Sequence, residues 1–331
     1  MINKNDWEAL VSKHPHGNIF QSYEYYEIHK RTFNCEPIII TVDKSDKVVG
    51  ILLAIIYKEH YGFFGRFTSR SIIIGGPLII DESLETLEIL LQKYLKIIKG
   101  KVIYTQIRNQ WNWKESNDIF KKYGFNYIPH LNILINVEDL NTLEKGISKN
   151  KKRNITKSKN KGLVFIEITD LSEFLESIEL ILSTYYKLGL PCPKKEYFIT
   201  AFKELNPINR LKVFSAFLDD KQIATRIELI FNDTVYDWYA GTKENEESKY
   251  PNDFLIYNVL IWSHEHKFKI FDFGGAGMPN KPYGVREHKL KFSKNLVELG
   301  RFQIIHKPLL MIIGRIGILV LKNVKWFLTH I

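Results

Sequence analysis

The chain has 331 residues, of which 45% are hydrophobic, and its 47 Lys and Arg against 37 Asp and Glu give a formal net charge of +10. This length predicts two domains, and the apolar content excludes a largely disordered chain. The charge fits either an anionic partner or a lysine-rich composition without a special partner. Two distant cysteines, Cys35 and Cys192, exclude a disulfide framework, and with the polar N-terminus they predict a cytoplasmic protein.

The first half of the chain alternates between helical and strand patterns. Apolar runs rich in Ile and Val, bounded by polar turn residues, predict strands, and Asp or Ser before an amphipathic run predicts a helix start. The predicted elements are a helix over 22–32, a hairpin of strands 37–42 and 47–57, an apolar run over 71–80 that Gly75-Gly76-Pro77 interrupts, a helix from 81 or 83 to about 99, and strands over 102–108 and 126–137.

The second half repeats this order. Its hairpin turns at Asp219-Asp220-Lys221, and Asp170 caps a long helix. The recurrence of helix, strand, hairpin, helix and strand predicts a duplicated α+β module. The predicted elements are a basic helix over 148–161, a strand over 163–169, helices over 171–188 and 194–205, strands over 211–218, 222–231 and 234–239, a helix over 254–267 and a strand over 269–273.

The segment FDFGGAG, Phe271 to Gly277, ends an apolar strand in closely spaced glycines. Glycine has no side chain and tolerates positive φ, so the backbone here is able to lie directly against a ligand. With the helical pattern before it and the run His288-Lys289-Leu290-Lys291-Phe292 after it, this segment resembles the closing part of Fem-type aminoacyltransferases of the GNAT superfamily. The opening NIFQSYEYYEIHK (Asn18 to Lys30) and the basic helix KNKKRNITKSKNKG (Lys149 to Gly162) are similar to other parts of that family.

The resemblance implies tandem GNAT-like acyltransferase modules, each a mixed central sheet flanked by helices. Residues 1–145 are then an N-terminal GNAT-like domain, and residues 146–305 a C-terminal GNAT-like domain with the main site. Residues 306–331 are expected to form an amphipathic C-terminal helix. Arg315 interrupts the apolar run before it reaches the roughly 20 residues that span a bilayer, so this helix either lies at the membrane interface or packs on the second domain.

Asp237 and Tyr239 alternate along a predicted strand, so they are expected on one face, where a carboxylate accepts a proton from an amine and a phenol positions it. Alternatively, Asp237 pairs with Arg226 of the neighbouring strand. The resemblance implies that Lys289 stabilises the negative charge formed when an amine attacks an ester carbonyl. The alternation of Lys289 and Lys291 also fits an ordinary exposed strand.

Further substrate-binding residues are expected around these two. The family's basic residue in the first helix, which contacts a nucleotide phosphate, corresponds to His29 or Lys30, and a basic residue and a Tyr near GLPCPKKEYF correspond to Lys194 or Lys195 and Tyr197. The basic helix is expected either as a solvated face or as a surface that attracts a polyanion. The expected substrate-binding set is Tyr239, Arg226, Asp272, Gly274, Gly275, Lys195, Tyr197, His29 and Arg286.

No metal-binding, P-loop, GxSxG or GxGxxG motif occurs in the sequence, which predicts no metal and no tightly bound cofactor. The superfamily's glycine-rich acyl-CoA signature is replaced by Lys249-Tyr250-Pro251-Asn252-Asp253, so the expected donor is an aminoacyl-tRNA or an acyl-CoA. The leading hypothesis is a cytoplasmic transferase, at the inner membrane face, that acylates a primary amine of a cell-envelope precursor. The alternatives are an acyl-CoA-dependent N-acyltransferase of surface-polysaccharide amino sugars and a non-catalytic basic scaffold bound to anionic membrane.

Overall fold

The computed structural model describes residues 3–58, 69–81 and 83–314, and the chain divides into two compact units, Met1–Ile128 with Leu299–Ile331 and Pro129–Glu298. The elements up to residue 128 are α1 Lys4–Lys13, α2 Tyr23–Arg31, β1 Cys35–Lys44, β2 Lys47–Tyr57, β3 Arg70–Ile74, β4 Leu78–Ile79, α3 Leu84–Ile98, β5 Tyr104–Arg108, α4 Asn117–Lys122 and β6 Asn126–Ile128. The elements from residue 129 are β7 Leu131–Asn136, α5 Leu140–Gly146, α6 Lys149–Asn160, β8 Val164–Ile168, α7 Leu171–Lys187, α8 Lys195–Leu205, β9 Leu211–Leu218, β10 Lys221–Phe231, β11 Thr234–Thr242, α9 Pro251–Glu265, β12 Ile270–Gly275, α10 Gly284–Lys289, β13 Leu296–Glu298 and β14 Arg301–Ile305.

The first unit is a mixed sheet in the order β1-β2-β3-β5-β14-β6, with β4 paired to β2. Helix α3 begins where Ser83 accepts a hydrogen bond from Thr86 N, and it buries one stripe of apolar residues against the strands. Strands β3 and β5 are parallel and stay paired over their full lengths, from Arg70 with Tyr104 to Ile74 with Arg108. The pair therefore encloses no opening in this unit's sheet.

The second unit is a mixed sheet in the order β13-β7-β12-β11-β10-β9-β8. The β9–β10 hairpin turns at Asp219 and Asp220, whose φ angles of 49° and 59° lie in the left-handed region that Asp tolerates. Helix α9 is apolar on several faces, and its Phe254, Leu255 and Val259 pack into the core with Phe214 of β9 and Phe271 of β12. Burial of these large apolar side chains stabilises this unit.

The division between the units differs from the predicted one at residue 145. The predicted strand over 126–137 is two strands: β6 closes the first sheet, whereas β7 lies in the second sheet between β12 and β13. The chain then returns to the first sheet, because β14 pairs with β5 and β6. The separation of β6 from β7 and the return of β14 to the first sheet both depend on pairing between strands that are distant in the sequence. Residues 308–314 are helical, and the remainder of the predicted C-terminal helix, including Arg315, lies outside the described residues.

Candidate active site

A cavity opens in the second unit where two parallel strands separate. Strands β11 and β12 pair only from Thr234 with Ile270 to Tyr236 with Asp272, although β11 continues to Thr242. Beyond Asp272 the pairing of β12 with β7 is also irregular, and Gly274 adopts a φ of +76° that L side chains rarely adopt. The resulting cavity has a volume of about 500 Å³, and Gly274, Gly275, Asp237 and Lys289 line it. The glycine-lined hollow expected from the sequence is therefore present.

A β-bulge in β11 decides which side chains face this cavity together. Asp237 pairs with Glu228 and Tyr239 pairs with Ile227, so Trp238 has no partner on β10. Because Glu228 and Ile227 are consecutive, Asp237 and Tyr239 belong to opposite faces of the sheet, so the expectation that they share one face is wrong. Both residues nevertheless line the cavity. The ring of Tyr239 lies among aromatic neighbours, with centroids 5.6 Å from Tyr185, 4.9 Å from Phe198 and 5.0 Å from Trp238.

Asp237 is held by Arg226, which was the alternative left open by the sequence. Arg226 is only 3% exposed, and its Nη2 donates to Asp237 Oδ1 while its Nη1 donates to Asn252 Oδ1 at 2.8 Å. Its Nε lies 3.3 Å from Glu228 Oε1. A planar guanidinium with three polar partners is fixed in position, so Arg226 orients the carboxylate of Asp237 in the cavity wall.

Lys289 brings the second cation to the same place. Its Nζ donates to the carbonyl oxygen of Phe273, lies 3.8 Å from Asp237 Oδ2, and is 3.7 Å from the position that a Cβ on Gly274 would take. The residue lies in the short helix α10 and has 13% of its side chain exposed, so the exposed-strand alternative is wrong. The ammonium therefore faces the glycine floor of the cavity.

Burial shifts the pKa values of the ionisable groups around the cavity. It raises the pKa of the fully buried Glu228 well above its ordinary value, although the neighbouring Arg226 opposes the rise. Burial likewise raises the pKa of Asp272 to about 6, although a hydrogen bond from Gly274 N and the charge of Lys289 oppose the rise. Burial also lowers the pKa of Lys289, against the attraction of Asp237. Asp237 is the carboxylate that contacts both cations, Arg226 and Lys289.

A second polar cluster, which the sequence analysis did not identify, adjoins the cavity. Lys151 of α6 and Asp253 of α9 are 6% and 5% exposed and form a buried ion pair, and Asn154 Nδ2 donates to Asp253 Oδ2 at 2.9 Å. Nε2 of His288, a residue that lines the cavity, lies 3.2 Å from Asp253 Oδ1 and 3.0 Å from Lys151 Nζ. Lys151 and His288 are 137 positions apart in the sequence, so no local pattern indicates their contact.

Several residues expected at the site lie elsewhere. His29 is completely buried in the first unit, where its ring nitrogens contact Tyr25 O at 2.8 Å and Tyr57 Oη at 3.0 Å; burial lowers its pKa to about 4, so it is a neutral core residue and not a phosphate ligand. Arg286 donates to the carbonyl oxygens of Ala276, Met278 and Lys281 and braces that loop. Three others are not lining residues themselves: Lys195 pairs with Glu179, whereas Tyr197 and Asp272 are buried behind the lining residues Trp238 and Gly274.

Neither a metal site nor a spanning helix is found in the described part of the chain. Across residues 3–58, 69–81 and 83–314, no group of three or more His, Cys, Asp and Glu side chains is arranged to hold a metal ion. In those same ranges, no helix combines the length and the apolar character needed to traverse a bilayer.

Comparisons with known proteins agree with this architecture. Residues 147–288 match the family model described as an acetyltransferase (GNAT) domain. The fold is similar to the crystal structure of FemX, with a TM-score of 0.72 and 16% identity over 95% of this chain and 98% of the other. It is also similar to L-PGS from Bacillus licheniformis, with a TM-score of 0.61 and 12% identity over 95% of this chain and 96% of the other. A third similar structure is a tandem GNAT protein from the clavulanic acid biosynthesis pathway, with a TM-score of 0.55 and 10% identity over 91% of this chain and 94% of the other.

A search of curated proteins gave no significant match. At identities of 10–16% the structural similarities establish the fold, and they confirm the predicted α+β architecture of tandem GNAT-like modules. The GNAT domain match covers the unit that contains the cavity. Such a domain implies an activated acyl donor.

Proposed function

We propose that this chain is a GNAT-type acyltransferase with the tandem fold of the Fem type, and that it transfers an aminoacyl group from a charged tRNA to a primary amine of a cell-envelope precursor. The observation that carries the proposal is the ammonium of Lys289 facing the Gly274–Gly275 floor of the 500 Å³ cavity. The solved structures named FemX and L-PGS support the choice of an aminoacyl group and an envelope acceptor.

Lys289 stabilises the oxyanion in this mechanism. When an amine attacks the ester carbonyl of the donor, negative charge develops on the carbonyl oxygen, and a fixed cation beside it lowers the barrier. The carbonyl is proposed to lie over Gly274 and Gly275, whose backbone leaves room for it. The ammonium is held in place by Phe273 O and by the charge of Asp237, so little reorganisation is required during the reaction.

Asp237 is better suited to hold Lys289 than to accept a proton. Its Oδ1 is bound by Arg226, and its Oδ2 lies 3.8 Å from the ammonium of Lys289. Protonation of this carboxylate would leave the guanidinium and the ammonium without their main counter-charge. We therefore assign Asp237 and Arg226 to the positioning of Lys289 and of the bound carbonyl.

The start of α9 favours an aminoacyl ester over coenzyme A. In acyl-CoA-dependent members of the superfamily, spaced glycines at a helix N-terminus surround the diphosphate. Here Pro251 has no N–H at the first helical position, and Asp253 places a carboxylate in the first turn.

Helix α6 supplies a surface for the tRNA. One face of the helix is buried through Lys151, Asn154, Ile155 and Ser158. Its exposed face carries a row of cations suited to a phosphate backbone, namely Lys149, Lys152, Arg153, Lys157 and Lys159, followed by Lys161. The same helix contacts the cavity through Lys151 and His288, so a polyanion bound here lies beside the proposed site. Contact with an anionic membrane at the cytoplasmic face is proposed for the same basic chain.

The test is a transfer assay with two donors and two acceptors. Bulk tRNA charged with radiolabelled amino acids and acetyl-CoA are each offered to a lysine-containing, peptidoglycan-type peptide and to glucosamine. The product is scored as label that survives mild alkali, because an amide persists under conditions that hydrolyse an aminoacyl ester. Label from tRNA on either acceptor, weakened at high salt, supports the proposal.

Transfer from acetyl-CoA alone would support the alternative, an acyl-CoA-dependent N-acyltransferase of amino sugars. No transfer from either donor, with tRNA binding and vesicle binding intact, would favour the non-catalytic scaffold.

A further inference from the structure

Part of the cavity lining is aliphatic and open to solvent. Leu188 and Leu190, in the loop after α7, and Val285 of α10 line the cavity together with Lys289. These three residues, the aliphatic rim, are 62%, 51% and 45% exposed. Contact between aliphatic side chains and water is unfavourable, and apolar side chains exposed around one cavity commonly mark a binding site. The rim is therefore suited to an apolar group of a ligand.

The apolar lining continues from the rim to the reacting centre. Ile256 and Phe273, each 1% exposed, line the same cavity, and Lys289 Nζ lies 4.8 Å from the ring centroid of Phe273. Lys187, which precedes the rim in the sequence, pairs with Glu244 at 3.2 Å and is not a lining residue. Apolar side chains thus line the cavity both at its rim and next to the ammonium.

The charges inside the cavity disfavour a charged group on the ligand. The guanidinium of Arg226 and the ammonium of Lys289 are joined through Asp237, which contacts both. A cationic group entering the cavity would meet these two cations, and an anionic group would compete with Asp237 for them. The lining therefore favours a group that is both apolar and uncharged.

The position of Val285 indicates which part of the substrate reaches the rim. Val285 and Lys289 are four residues apart in α10, so they lie on the same face of the helix, one turn from each other. The proposed function places the ester carbonyl beside Lys289, and the amino acid side chain is attached to the carbon next to that carbonyl. The ribose and the amine on the other sides of the carbonyl are polar. The amino acid side chain is therefore the group suited to the rim.

We propose that the cavity selects donors charged with a large apolar amino acid, whose side chain is covered by Leu188, Leu190 and Val285. This inference rests on the transfer from charged tRNA proposed above, and it names the class of group transferred. The cavity volume of about 500 Å³ leaves room for a side chain of the size of leucine or phenylalanine. Full burial of such a side chain favours binding by about 10–150-fold.

The reaction itself balances as a simple transfer. The amine forms an amide bond with the carbonyl carbon, and the C–O bond to the ribose breaks. The proton that the amine loses balances the proton that the released ribose hydroxyl gains.

The first experiment varies only the amino acid. One tRNA is acylated chemically with leucine, phenylalanine, glycine, serine or lysine, and kcat/KM for transfer is measured for each donor. We expect leucine and phenylalanine to exceed glycine and serine by at least tenfold, and lysine to be the poorest donor. Binding is measured separately by calorimetry with 3′-amino-3′-deoxyadenosine that carries leucine or glycine in amide linkage. The leucyl compound should bind at least tenfold more tightly.

The second experiment changes the rim. Val285→Thr keeps the shape of the side chain and adds a hydroxyl group, and Leu188→Asn does the same at the other side of the rim. Each should reduce the ratio of leucine to glycine transfer at least threefold. Val164→Thr is the matched control, because Val164 is 53% exposed on β8 and is not a lining residue, so it should keep the wild-type ratio. Thermal unfolding confirms that each variant is folded.

The outcomes separate this inference from the proposed function. If wild type uses glycyl-tRNA or lysyl-tRNA as well as leucyl-tRNA, or if folded rim variants keep the wild-type ratio, the selection by the rim is refuted while transfer from tRNA stands. If wild type transfers no group from any charged tRNA, the proposed function fails. In that case, equal affinities for the leucyl and glycyl nucleosides would also refute the apolar selection, and tighter binding of the leucyl compound would support it.

Discussion

Replacement of Lys289 by Met is the most direct test of how the cavity works. Met has a similar length and no charge, so the change removes the ammonium and retains much of the side-chain volume. The distance of 3.8 Å from Lys289 Nζ to Asp237 Oδ2 shows how close an anion in this cavity comes to the cation. At that distance and an effective dielectric constant of about 20, one pair of unit charges interacts by ~4 kcal/mol.

An oxyanion at a comparable distance would lose a stabilisation of this size, which corresponds to about 10³-fold in rate. Removal of one stabilising group from an oxyanion site typically lowers kcat by about 10²–10³-fold. We therefore expect Lys289→Met to lower kcat by about 10²–10³-fold, with a small effect on acceptor KM. The fold should persist, because Asp237 remains bound to Arg226.

The assay is steady-state transfer from charged tRNA, accompanied by thermal unfolding to confirm the fold. Lys291→Met is the matched control, since Lys291 lies two positions further along the chain and is exposed. If Lys289→Met keeps a kcat within threefold of wild type, while Lys291→Met shows that the assay measures active protein, the assignment of Lys289 to the oxyanion is refuted.

Three further predictions concern the cavity floor, the packing of β11 and the first unit's core. Gly274→Ala should lower transfer more than tenfold, because its methyl group would occupy the cavity floor on which the carbonyl is proposed to lie, next to Lys289 Nζ. The matched control is Gly189→Ala, which has a similar backbone angle (φ +63° against +76°) and no atom within 4 Å, and it should show only the strain of about 1–3 kcal/mol in unfolding free energy. Gly241→Ala should destabilise by about 3 kcal/mol or more in denaturant unfolding, because its Cβ would meet Ile181 N at 2.6 Å, whereas Gly284→Ala meets nothing within 4 Å and should be nearly neutral. The pKa of His29 is about 4 in the folded chain and about 6.5 in the unfolded chain, so below pH 6.5 only the unfolded chain binds a proton there. The free energy of unfolding should therefore fall by about 3 kcal/mol between pH 7 and pH 4. His29→Gln should lack this loss in unfolding titrations, and an equal loss in both proteins would contradict the buried, neutral state of His29.

The sequence by itself determines the local elements and the composition of the site. Period-two runs of Ile, Val and Phe, and caps such as Ser83 and Asp170, specify strands and helix starts through interactions between residues near one another in the chain. The glycines of FDFGGAG indicate a close backbone approach because no other residue tolerates a φ of +76° as well as Gly274 does. Lys289 was recognisable through its place after these glycines in a family resemblance.

Only the tertiary structure decides which side chains meet. The bulge at Trp238 places Asp237 and Tyr239 on opposite faces of the sheet, and it depends on how β10 and β11 align rather than on the sequence of either strand. His29, which was expected to bind a phosphate, is buried in the core and is neutral there. Lys151, which the sequence shows only as one cation of a basic helix, is buried and pairs with Asp253. These outcomes depend on contacts between distant residues, because an ion pair, a buried histidine and a strand register are all fixed by neighbours that the local sequence does not contain.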